Sequence, residues 1–215
     1  MLKIGIIGFG RIGKVHARSI QTRVENACVL RICDPFMNPA MEAEAQKLGI
    51  QRWGTDAGEL IHDPEIDAVL ICSSTHTHAA LSIEAAQAGK HIFCETPAAM
   101  NVTQYREMRR AAEDAGVTLF VNRAHLFRKD FLTAEKLLKE KRLGKIYRIE
   151  SREFAPGNAS EGWRGCRARG GGMLLNKGVP LIEQALKLGD YDSFDCTRFF
   201  VGHGEAEDGF ELRLH

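Results

Sequence analysis

The chain has 215 residues, 44% of them hydrophobic, so it can bury a core large enough for one full domain and a smaller second one. Its 29 lysines and arginines nearly balance 28 aspartates and glutamates, and this net charge of +1 excludes an overall field that recruits nucleic acid or an anionic membrane. The first apolar run breaks at glycines after about seven residues, too few for a signal peptide or a membrane span. We therefore expect a cytoplasmic protein.

From residue 2 to about residue 121, short β-rich runs alternate with longer amphipathic segments. This alternation is typical of βαβ units and predicts an α/β fold, a Rossmann-type doubly wound parallel sheet with helices on both faces. The predicted first domain, a dinucleotide-binding domain, covers residues 1–121. Its predicted elements are KIGIIG, a helix over 11–22, CVLRIC, a helix over 39–48, AVLICS, a helix over 77–88, HIFCE, a helix over 102–115 and TLFV.

The pattern changes after Asn122, which predicts an incomplete, truncated α+β second domain over 122–215 for substrate binding or oligomerisation. Two strands do not form a stable sheet by themselves. A homo-oligomer or a partner chain that completes the C-terminal sheet is one explanation, and a truncated or decayed gene product is the other. The predicted elements are a helix over 129–141, a strand over 145–154, a helix over 173–188, and the strands CTRFFVG and FELRLH, which suit a hairpin.

The cysteines and histidines do not form a metal-binding pattern. The six cysteines contain no CxxC pair, and four of them lie in strand-like apolar runs, which favours reduced thiols in the core. His76 and His78 form an HxH pair without an evident third ligand, so we expect no metal site.

The segment KIGIIGFGRIGKVHARSI carries a GxGxxG motif at Gly8, Gly10 and Gly13, between a predicted strand and a predicted helix. In this context the first glycine permits a tight turn, the second lets the backbone approach a pyrophosphate, and the third lets the helix pack on the strand. The helix N-terminus then faces the phosphates. We include Arg11 and Ile12 among the cofactor-binding residues of this loop. The side chain of Arg11 either lies along the pyrophosphate or is exposed at the surface.

Asp34 ends the next strand, 21 residues after Gly13, where a carboxylate accepts hydrogen bonds from an adenosine ribose. Its charge would repel a 2′-phosphate, and the following residues, Pro35, Phe36 and Met37, supply no arginine. The sequence therefore predicts NAD as the cofactor in preference to NADP.

The segment AVLICSSTHTHAALSIEAAQAGKHIFCETP resembles the Gfo/Idh/MocA oxidoreductase family, whose members read V-x-I-x-T-P-N-x-x-H, A-G-K-H and E-K-P in this order. The later segment WRGCRARGGGMLLNKGVPLIE is similar to the family pattern W-R, G-G-G-x-L-x-D-x-G-x-H-x-x-D. The resemblance implies a nicotinamide-dependent oxidoreductase that transfers a hydride to or from a carbon bearing a hydroxyl in a sugar, cyclitol or related compound. It adds these cofactor-binding candidates to the fingerprint: Ser73, Thr75, His78, Glu95 and Thr96.

In the family, the lysine of E-K-P and the later aspartate and histidine commonly position the substrate hydroxyl and move its proton. This chain has Thr96, Asn176 and Pro180 at those three positions. A threonine hydroxyl does not titrate near neutral pH, an amide accepts no proton there, and proline has no side-chain base. The catalytic residues are therefore unknown from the sequence.

Two nearby residues are candidate substitutes. Lys177 follows Asn176, but adjacent helix positions point about 100° apart, so it replaces the lost group only if the helix start is distorted. We expect His78 in the loop after AVLICS, where it either packs against the cofactor or moves a proton. His125 and Tyr147 of the second domain are further residues that the sequence does not rank.

Candidate substrate ligands lie mainly in the second domain. Arg164, Arg167 and Arg169 precede the glycines and are either a clamp for a carboxylate or phosphate or a solvated loop. Arg164 matches the family's W-R, and Arg123 and Asn176 complete the predicted set.

Three functions remain open from the sequence. The first is an NAD-dependent oxidoreductase that acts on a sugar or cyclitol with substitute proton-transfer groups. The second is a catalytically silent dinucleotide-binding subunit with a regulatory or scaffolding role. A redox-neutral reaction at a tightly held NAD is a third, and it also requires a base.

Overall fold

The structure, a computed structural model, describes residues 1–144, 148–153, 162–200 and 205–215. Its backbone contacts divide the chain into two compact units, Met1–Asn122 and Arg123–His215. Within the described residues, we find no helix with the length and apolar character needed to cross a bilayer.

The first unit is a six-stranded parallel sheet with strand order β3-β2-β1-β4-β5-β6, which confirms the predicted doubly wound fold. The strands are β1 (Leu2–Ile7), β2 (Ala27–Cys33), β3 (Arg52–Gly54), β4 (Ala68–Ile71), β5 (His91–Cys94) and β6 (Leu119–Val121). The helices are α1 (Arg11–Arg23), α2 (Pro39–Lys47), α3 (Ala57–Ile61), α4 (Thr75–Gln87) and α5 (Val102–Asp114).

Both faces of this sheet are buried because successive strand residues point to opposite sides. Ile6 packs with Ile20 of α1 in one core cluster. Ile7, the next residue of β1, packs with Ala85 of α4 in the other. Helices thus cover both faces, which is why the strands read as continuous apolar runs.

The strand order reverses between β1 and β4, which are neighbours in the sheet. The helices that follow them, α1 and α4, pack on opposite faces. In an open α/β sheet this arrangement leaves a crevice outside the carboxyl ends of the two strands, where ligands bind.

Two short elements of the first unit, β3 and α3, were not predicted from the sequence. The three residues of β3 extend the sheet by pairing Trp53 with Ile32 of β2. A strand of three residues is too short for alternation to identify it, and only its pairing defines it.

The second unit contains α6 (Lys129–Lys139), α7 (Val179–Leu188), and the strands β7 (Phe194–Phe199) and β8 (Gly209–Leu214). The two strands pair antiparallel, as the sequence predicted for a hairpin. The helix predicted over 173–188 begins instead with a π-helical turn, Leu174–Gly178. Residues 145–147 and 154 of the strand predicted over 145–154 lie outside the described residues, and the larger described part, 148–153, is exposed and forms no strand.

Candidate cofactor and substrate site

The turn after β1 requires glycine at position 8. The φ angle of Gly8 is +93°, which side chains rarely adopt. A Cβ atom there would also lie 2.7 Å from the carbonyl carbon of Cys72 and from the backbone nitrogen of Ser73. The first fingerprint glycine therefore lets the chain turn tightly against the end of β4.

The other two fingerprint glycines differ in their surroundings. A Cβ atom at Gly13 would lie 2.0 Å from the carbonyl oxygen of Gly8, so this glycine allows α1 to approach the turn. Gly10 has no other heavy atom within 4 Å of its Cβ position among the described residues. The space beside Gly10 is the space that a pyrophosphate would use.

Helices α1 and α4 begin without a side-chain hydrogen-bond cap. By contrast, Asn38, Asp56 and Asn101 cap α2, α3 and α5. The N–H groups at an uncapped helix start remain available to an anion. In the fingerprint loop, Arg11 is exposed and Ile12 half-buried.

Asp34 is only 8% exposed, and both of its carboxylate oxygens accept backbone hydrogen bonds. Oδ2 accepts from Phe9 N–H at 2.8 Å, and Oδ1 accepts from Phe36 N–H at 2.9 Å. The first bond ties the end of β2 to the glycine turn. Each carboxylate oxygen has a further lone pair, so Asp34 keeps the capacity to accept from a ribose hydroxyl.

The residues that follow β4 are mostly inside the helix α4 rather than in a loop. Ser73 precedes the helix, is half-buried, and its hydroxyl hydrogen-bonds that of Thr77 at 2.7 Å. Thr75 is the first helical residue and only 1% exposed. Its buried side chain leaves the backbone N–H as its means of reaching a ligand.

The prediction that His78 lies in this loop is wrong, because it lies in α4 and is 2% exposed. Its Nδ1 is 2.9 Å from the Pro97 carbonyl oxygen, and its Nε2 is 3.0 Å from the Ser73 carbonyl oxygen. Burial lowers the pKa of His78, although the two carbonyls oppose this. His78 therefore bridges the chain after β4 to the chain after β5, which leaves neither nitrogen free for proton transfer.

Glu95, at the end of β5, binds three different segments of the first unit. Its Oε1 accepts from His16 Nε2 at 2.5 Å and from Asn122 Nδ2 at 2.7 Å, and its Oε2 accepts from Thr96 N–H at 3.1 Å. Burial alone would raise the pKa of Glu95, but the hydrogen bonds from His16 and Asn122 outweigh it and hold the pKa below its ordinary value. Glu95 is thus an ionised group that organises its neighbours.

His16 and Asn122 were not among the predicted site residues. His16 lies in the second turn of α1 and Asn122 just after β6, and no local motif marks either one. The carboxyl ends of parallel strands meet at one edge, so a polar residue after each strand was the available signal for Asn122.

His16, Cys72 and Glu95 also place one potential metal ligand each within 4.8 Å of one another. However, two ligand atoms on one tetrahedral zinc lie about 3.4 Å apart, given bonds of about 2.1 Å. The His16–Glu95 separation of 2.5 Å is that of a hydrogen bond. Burial raises the pKa of the Cys72 thiol, so it stays protonated. This geometry is that of a hydrogen-bonded pair beside a neutral thiol.

Thr96 is half-buried and precedes a cis peptide bond to Pro97. Its backbone N–H is held by Glu95, whereas its hydroxyl can offer a hydrogen bond but no charge. The position of the family's lysine therefore carries a hydroxyl group, which can hydrogen-bond but does not titrate near neutral pH.

In the second unit, Asn176 lies in the π-helical turn and its amide is already engaged. Nδ2 donates to the carbonyl oxygens of Gly170 at 3.0 Å and Gly172 at 2.8 Å. Pro180 lies in the first turn of α7, where its missing N–H is harmless. Asn176 thus stabilises the glycine loop.

Lys177 also lies in this turn, so the helix start is distorted, as its proposed role requires. Its ammonium group forms an ion pair with Glu153, which is about one third exposed. The structure therefore gives Lys177 a partner in its own unit.

A second carboxylate–imidazole pair joins α7 to the segment before α6. Glu183 Oε2 accepts from His125 Nε2 at 2.6 Å, and Glu183 Oε1 pairs with the guanidinium group of Arg123. The carbonyl oxygen of His125 accepts from Gln184 Nε2 at 2.9 Å. Glu183 was not predicted, although it occupies the last aspartate position of the family pattern.

The three predicted loop arginines are exposed: Arg164, Arg167 and Arg169. The guanidinium carbon of Arg164 lies 4.6 Å from the centre of the Trp163 ring. Its carbonyl oxygen accepts from Gly172 N–H at 3.0 Å, so Arg164 also helps to shape the glycine loop. Tyr147 lies outside the described residues.

Glu207, another residue absent from the predictions, is 5% exposed and organises the same loop. Its Oε1 accepts from Leu174 N–H at 2.9 Å, and its backbone carbonyl accepts from Met173 N–H at 3.0 Å. A Cβ atom at Gly172 would lie 2.4 Å from that carboxylate. The φ angle of Gly172 is +102°, which side chains rarely adopt, so glycine suits this position and also leaves room for the Glu207 carboxylate.

Known proteins resemble this chain in sequence and in fold. The myo-inositol 2-dehydrogenase of Thermotoga maritima is 38% identical over 157 residues, which are 72% of this chain and 46% of that protein. The scyllo-inositol 2-dehydrogenase (NAD(+)) of Bacillus subtilis is 32% identical over 144 residues, 67% of this chain and 42% of that protein. The chain thus spans less than half the length of these two relatives.

Among solved structures, the WlbA dehydrogenase of Bordetella pertussis in complex with NADH and UDP-GlcNAcA superposes with a TM-score of 0.84 at 26% identity. The match covers 99% of this chain and 63% of that one. The family model described as "Oxidoreductase family, NAD-binding Rossmann fold" matches residues 2–123. This chain therefore belongs to the Gfo/Idh/MocA oxidoreductase family.

Proposed function

We propose that this chain is an NAD-dependent oxidoreductase, or the NAD-binding part of one, that transfers a hydride to or from a sugar, cyclitol or related hydroxy compound. The proposal rests on the arrangement of residues at the carboxyl ends of strands β1 and β4. There Gly10 leaves space, α1 starts uncapped, and Asp34 directly follows the adjacent strand β2. These are the features that a dinucleotide requires.

The residues present fit a bound nicotinamide dinucleotide. A Cβ atom at Gly10 would enter the open space that we assign to the pyrophosphate, and the first N–H groups of α1 would hold the phosphate charge. When bound, the nicotinamide supplies or accepts the hydride. The chain's own residues orient it: Asp34 at the ribose, and the Glu95–Thr96–Pro97 turn at the end of β5.

We favour NAD over NADP because of the charge at the end of β2. Asp34 is buried beside the glycine turn and accepts two backbone hydrogen bonds, so a 2′-phosphate would meet its carboxylate. The next residue with a large side chain, Phe36, is 81% exposed and carries no positive charge.

The substrate class rests on the relatives. The names of the Thermotoga and Bacillus relatives specify inositols, and a further relative from Escherichia coli is named D-glucoside 3-dehydrogenase at 30% identity. Polyhydroxylated rings are therefore the first compounds to test. Arg123 and Arg164, both exposed cations of the second unit, are the proposed substrate ligands.

A catalytically silent dinucleotide-binding subunit is the second candidate function. It is favoured by how the candidate proton-transfer groups are engaged: Asn176 by two carbonyls, Lys177 by Glu153, and His78 by two carbonyls. Loss of general acid–base assistance typically lowers a rate by about two to four orders of magnitude.

One experiment separates these functions. The purified chain is titrated with NADH while fluorescence is followed, and inositols and glucosides are then added to the NAD complex while absorbance of reduced nicotinamide is recorded. Binding followed by a substrate-dependent rise supports the oxidoreductase. Binding with a flat trace supports the silent subunit, and absence of NADH binding contradicts both.

We also propose that a second copy, or another chain, packs on the strands β7 and β8. Phe194 is 67% exposed and Phe199 45% exposed, and a two-stranded sheet needs further packing to be stable. Light scattering after size exclusion should give twice the 23.9 kDa mass of one chain, and a clean monomer would contradict the homodimer.

A further inference from the structure

Two histidines hold the turn that follows β5, and they come from the two helices that begin at the switch point. His16 of α1 donates to the side chain of Glu95, and His78 of α4 lies against the carbonyl oxygen of Pro97. Glu95, Thr96 and Pro97 are consecutive. The turn is therefore fixed at both ends by imidazoles, one on each face of the sheet.

The contact through His16 is the one that depends on charge. The side chain of Glu95 is 14% exposed and that of His16 is 23% exposed, so water solvates the pair only in part. A hydrogen bond to an ionised acceptor is stronger than a neutral one, more so where water is scarce. The ring of His16 also packs edge-on against Phe93, with centroids 5.6 Å apart, which fixes its orientation.

Glu95 transmits the position of His16 to Thr96. One carboxylate oxygen accepts from His16 and Asn122, and the other accepts from the backbone N–H of Thr96. Without His16, a largely buried carboxylate would keep fewer donors, and it would turn toward other donors or water. The Thr96 N–H that it holds would then lose its fixed partner.

The location of this network on the sheet indicates which half of a dinucleotide would sense it. A doubly wound sheet binds one mononucleotide half over each set of strands. Gly8, Gly10 and Asp34 belong to the β1–β3 half, which takes the adenosine. Glu95 and Asn122 follow β5 and β6, in the half that takes the nicotinamide nucleotide.

We propose that His16 is a positioning residue for the nicotinamide end of the bound dinucleotide, and that it acts through Glu95 on the Thr96 turn. The proposal rests on the proposed NAD-binding function. His16 belongs to the helix whose N-terminus meets the pyrophosphate, so it connects the phosphate-binding helix to the nicotinamide side of the crevice.

The test compares two ligands that differ at the nicotinamide end, NADH and ADP-ribose. The variants are His16→Ala, which removes the donor, and His16→Gln, whose amide can still donate to Glu95. The control is His62→Ala, since His62 pairs with Glu84 at 3.3 Å in an exposed site of the same unit, with side chains 63% and 43% exposed. Affinities are measured by calorimetry.

We expect His16→Ala to weaken NADH binding about tenfold, as for loss of one charge-assisted hydrogen bond, and to change ADP-ribose binding less than about twofold. His16→Gln should recover most of the loss, and His62→Ala should change neither ligand. In the free protein, the backbone amide resonance of Thr96 should shift in His16→Ala and return toward its original position in His16→Gln.

An equal loss for NADH and ADP-ribose would overturn the proposal, because His16 would then stabilise only the helix or the unit. An unchanged NADH affinity in His16→Ala would overturn it as well, while leaving the proposed function intact. If the unmodified chain bound neither ligand, the proposed function would fail, and this inference with it. Retained ADP-ribose binding shows that a variant is folded.

Discussion

The carbonyl oxygen of Gly8 lies 2.0 Å from the point where a side chain at Gly13 would begin. Backbone atoms occupy this contact, so a flexible side chain cannot relieve it. Gly10, the fingerprint glycine just before α1, has open space at its own Cβ position and a φ of −74°, which any residue adopts. The two glycines therefore serve different purposes, one in packing and one in binding.

Replacing each glycine by alanine should separate these purposes. Gly13→Ala should lower the free energy of unfolding by about 3 kcal/mol, the upper range for overpacking, because α1 must move away from the turn. Gly10→Ala should change it by less than about 0.5 kcal/mol and still weaken NADH binding, because the methyl group enters the proposed pyrophosphate space. Urea unfolding and NADH titration measure the two effects, and equal stability losses would contradict this assignment.

Asp34 should decide between NAD and NADP. In Asp34→Ser the charge is lost, while a hydroxyl can still interact with the ribose, so NADPH affinity should rise and NADH affinity fall. We expect the preference for NADH over NADPH to shrink by about tenfold or more, the scale of one removed charge repulsion at close range. Calorimetry with both cofactors tests this. Asp56→Ser, at the cap of α3, is a control for removal of a carboxylate from this unit.

Much of the first unit could be predicted from the sequence because its signals are local. The apolar runs of β1, β2, β4 and β5 are buried on both faces, and the three fingerprint glycines lie together in residues 8–13, although Gly8 also meets the distant backbone of Cys72 and Ser73. The antiparallel pair β7–β8 was likewise visible as two short runs. The helix α3 could not be predicted, because its five residues are too few for a helical periodicity to be evident.

The side-chain networks could not be predicted because they join residues far apart in the sequence. His16 and Glu95 are 79 positions apart, and His125 and Glu183 are 58 apart. The wrong placement of His78 has a related cause: the polar residues SSTHTH read as a loop, whereas tertiary contacts to Ser73 and Pro97 satisfy the ring inside a helix.

Stability should depend on the ionisation of Glu95. Its pKa in the folded chain is below the ordinary value of 4.5, so the ionised form stabilises the fold at pH values above that figure. This contribution is lost as the pH falls through the folded pKa. The difference in free energy of unfolding between the unmodified chain and Glu95→Gln should therefore be largest near neutral pH and shrink on acidification. In the control Glu84→Gln, whose side chain is 43% exposed in the parent chain, the difference should stay below about 0.5 kcal/mol.

The cysteines should react with a thiol reagent in order of exposure and acidity. Burial raises the pKa of Cys33 to about 11 and that of Cys94 to about 12, so little thiolate forms at neutral pH. Cys196 is exposed. Mass spectrometry after brief labelling should show Cys196 modified first, with Cys33 and Cys94 modified only after unfolding. Early labelling of Cys94 would contradict the packing of β5.

Asn176→Asp restores the residue that the family pattern has at this position, yet we expect it to destabilise the second unit. Asn176 Nδ2 donates to the carbonyl oxygens of Gly170 and Gly172, and a carboxylate oxygen in its place would face both oxygens without a proton to share. The loss should be about 2 kcal/mol, because the Gly170 carbonyl loses its amide donor and an oxygen faces both carbonyls, whereas the Gly172 carbonyl keeps the backbone N–H of Asn176. Lys177→Ala, which breaks a partly exposed ion pair next to Asn176, should lower the free energy of unfolding by less than about 1 kcal/mol.

Urea unfolding followed through the fluorescence of Trp163, in a Trp53→Phe background, reports on this unit. An Asn176→Asp variant as stable as its parent would show that the glycine loop does not depend on the amide.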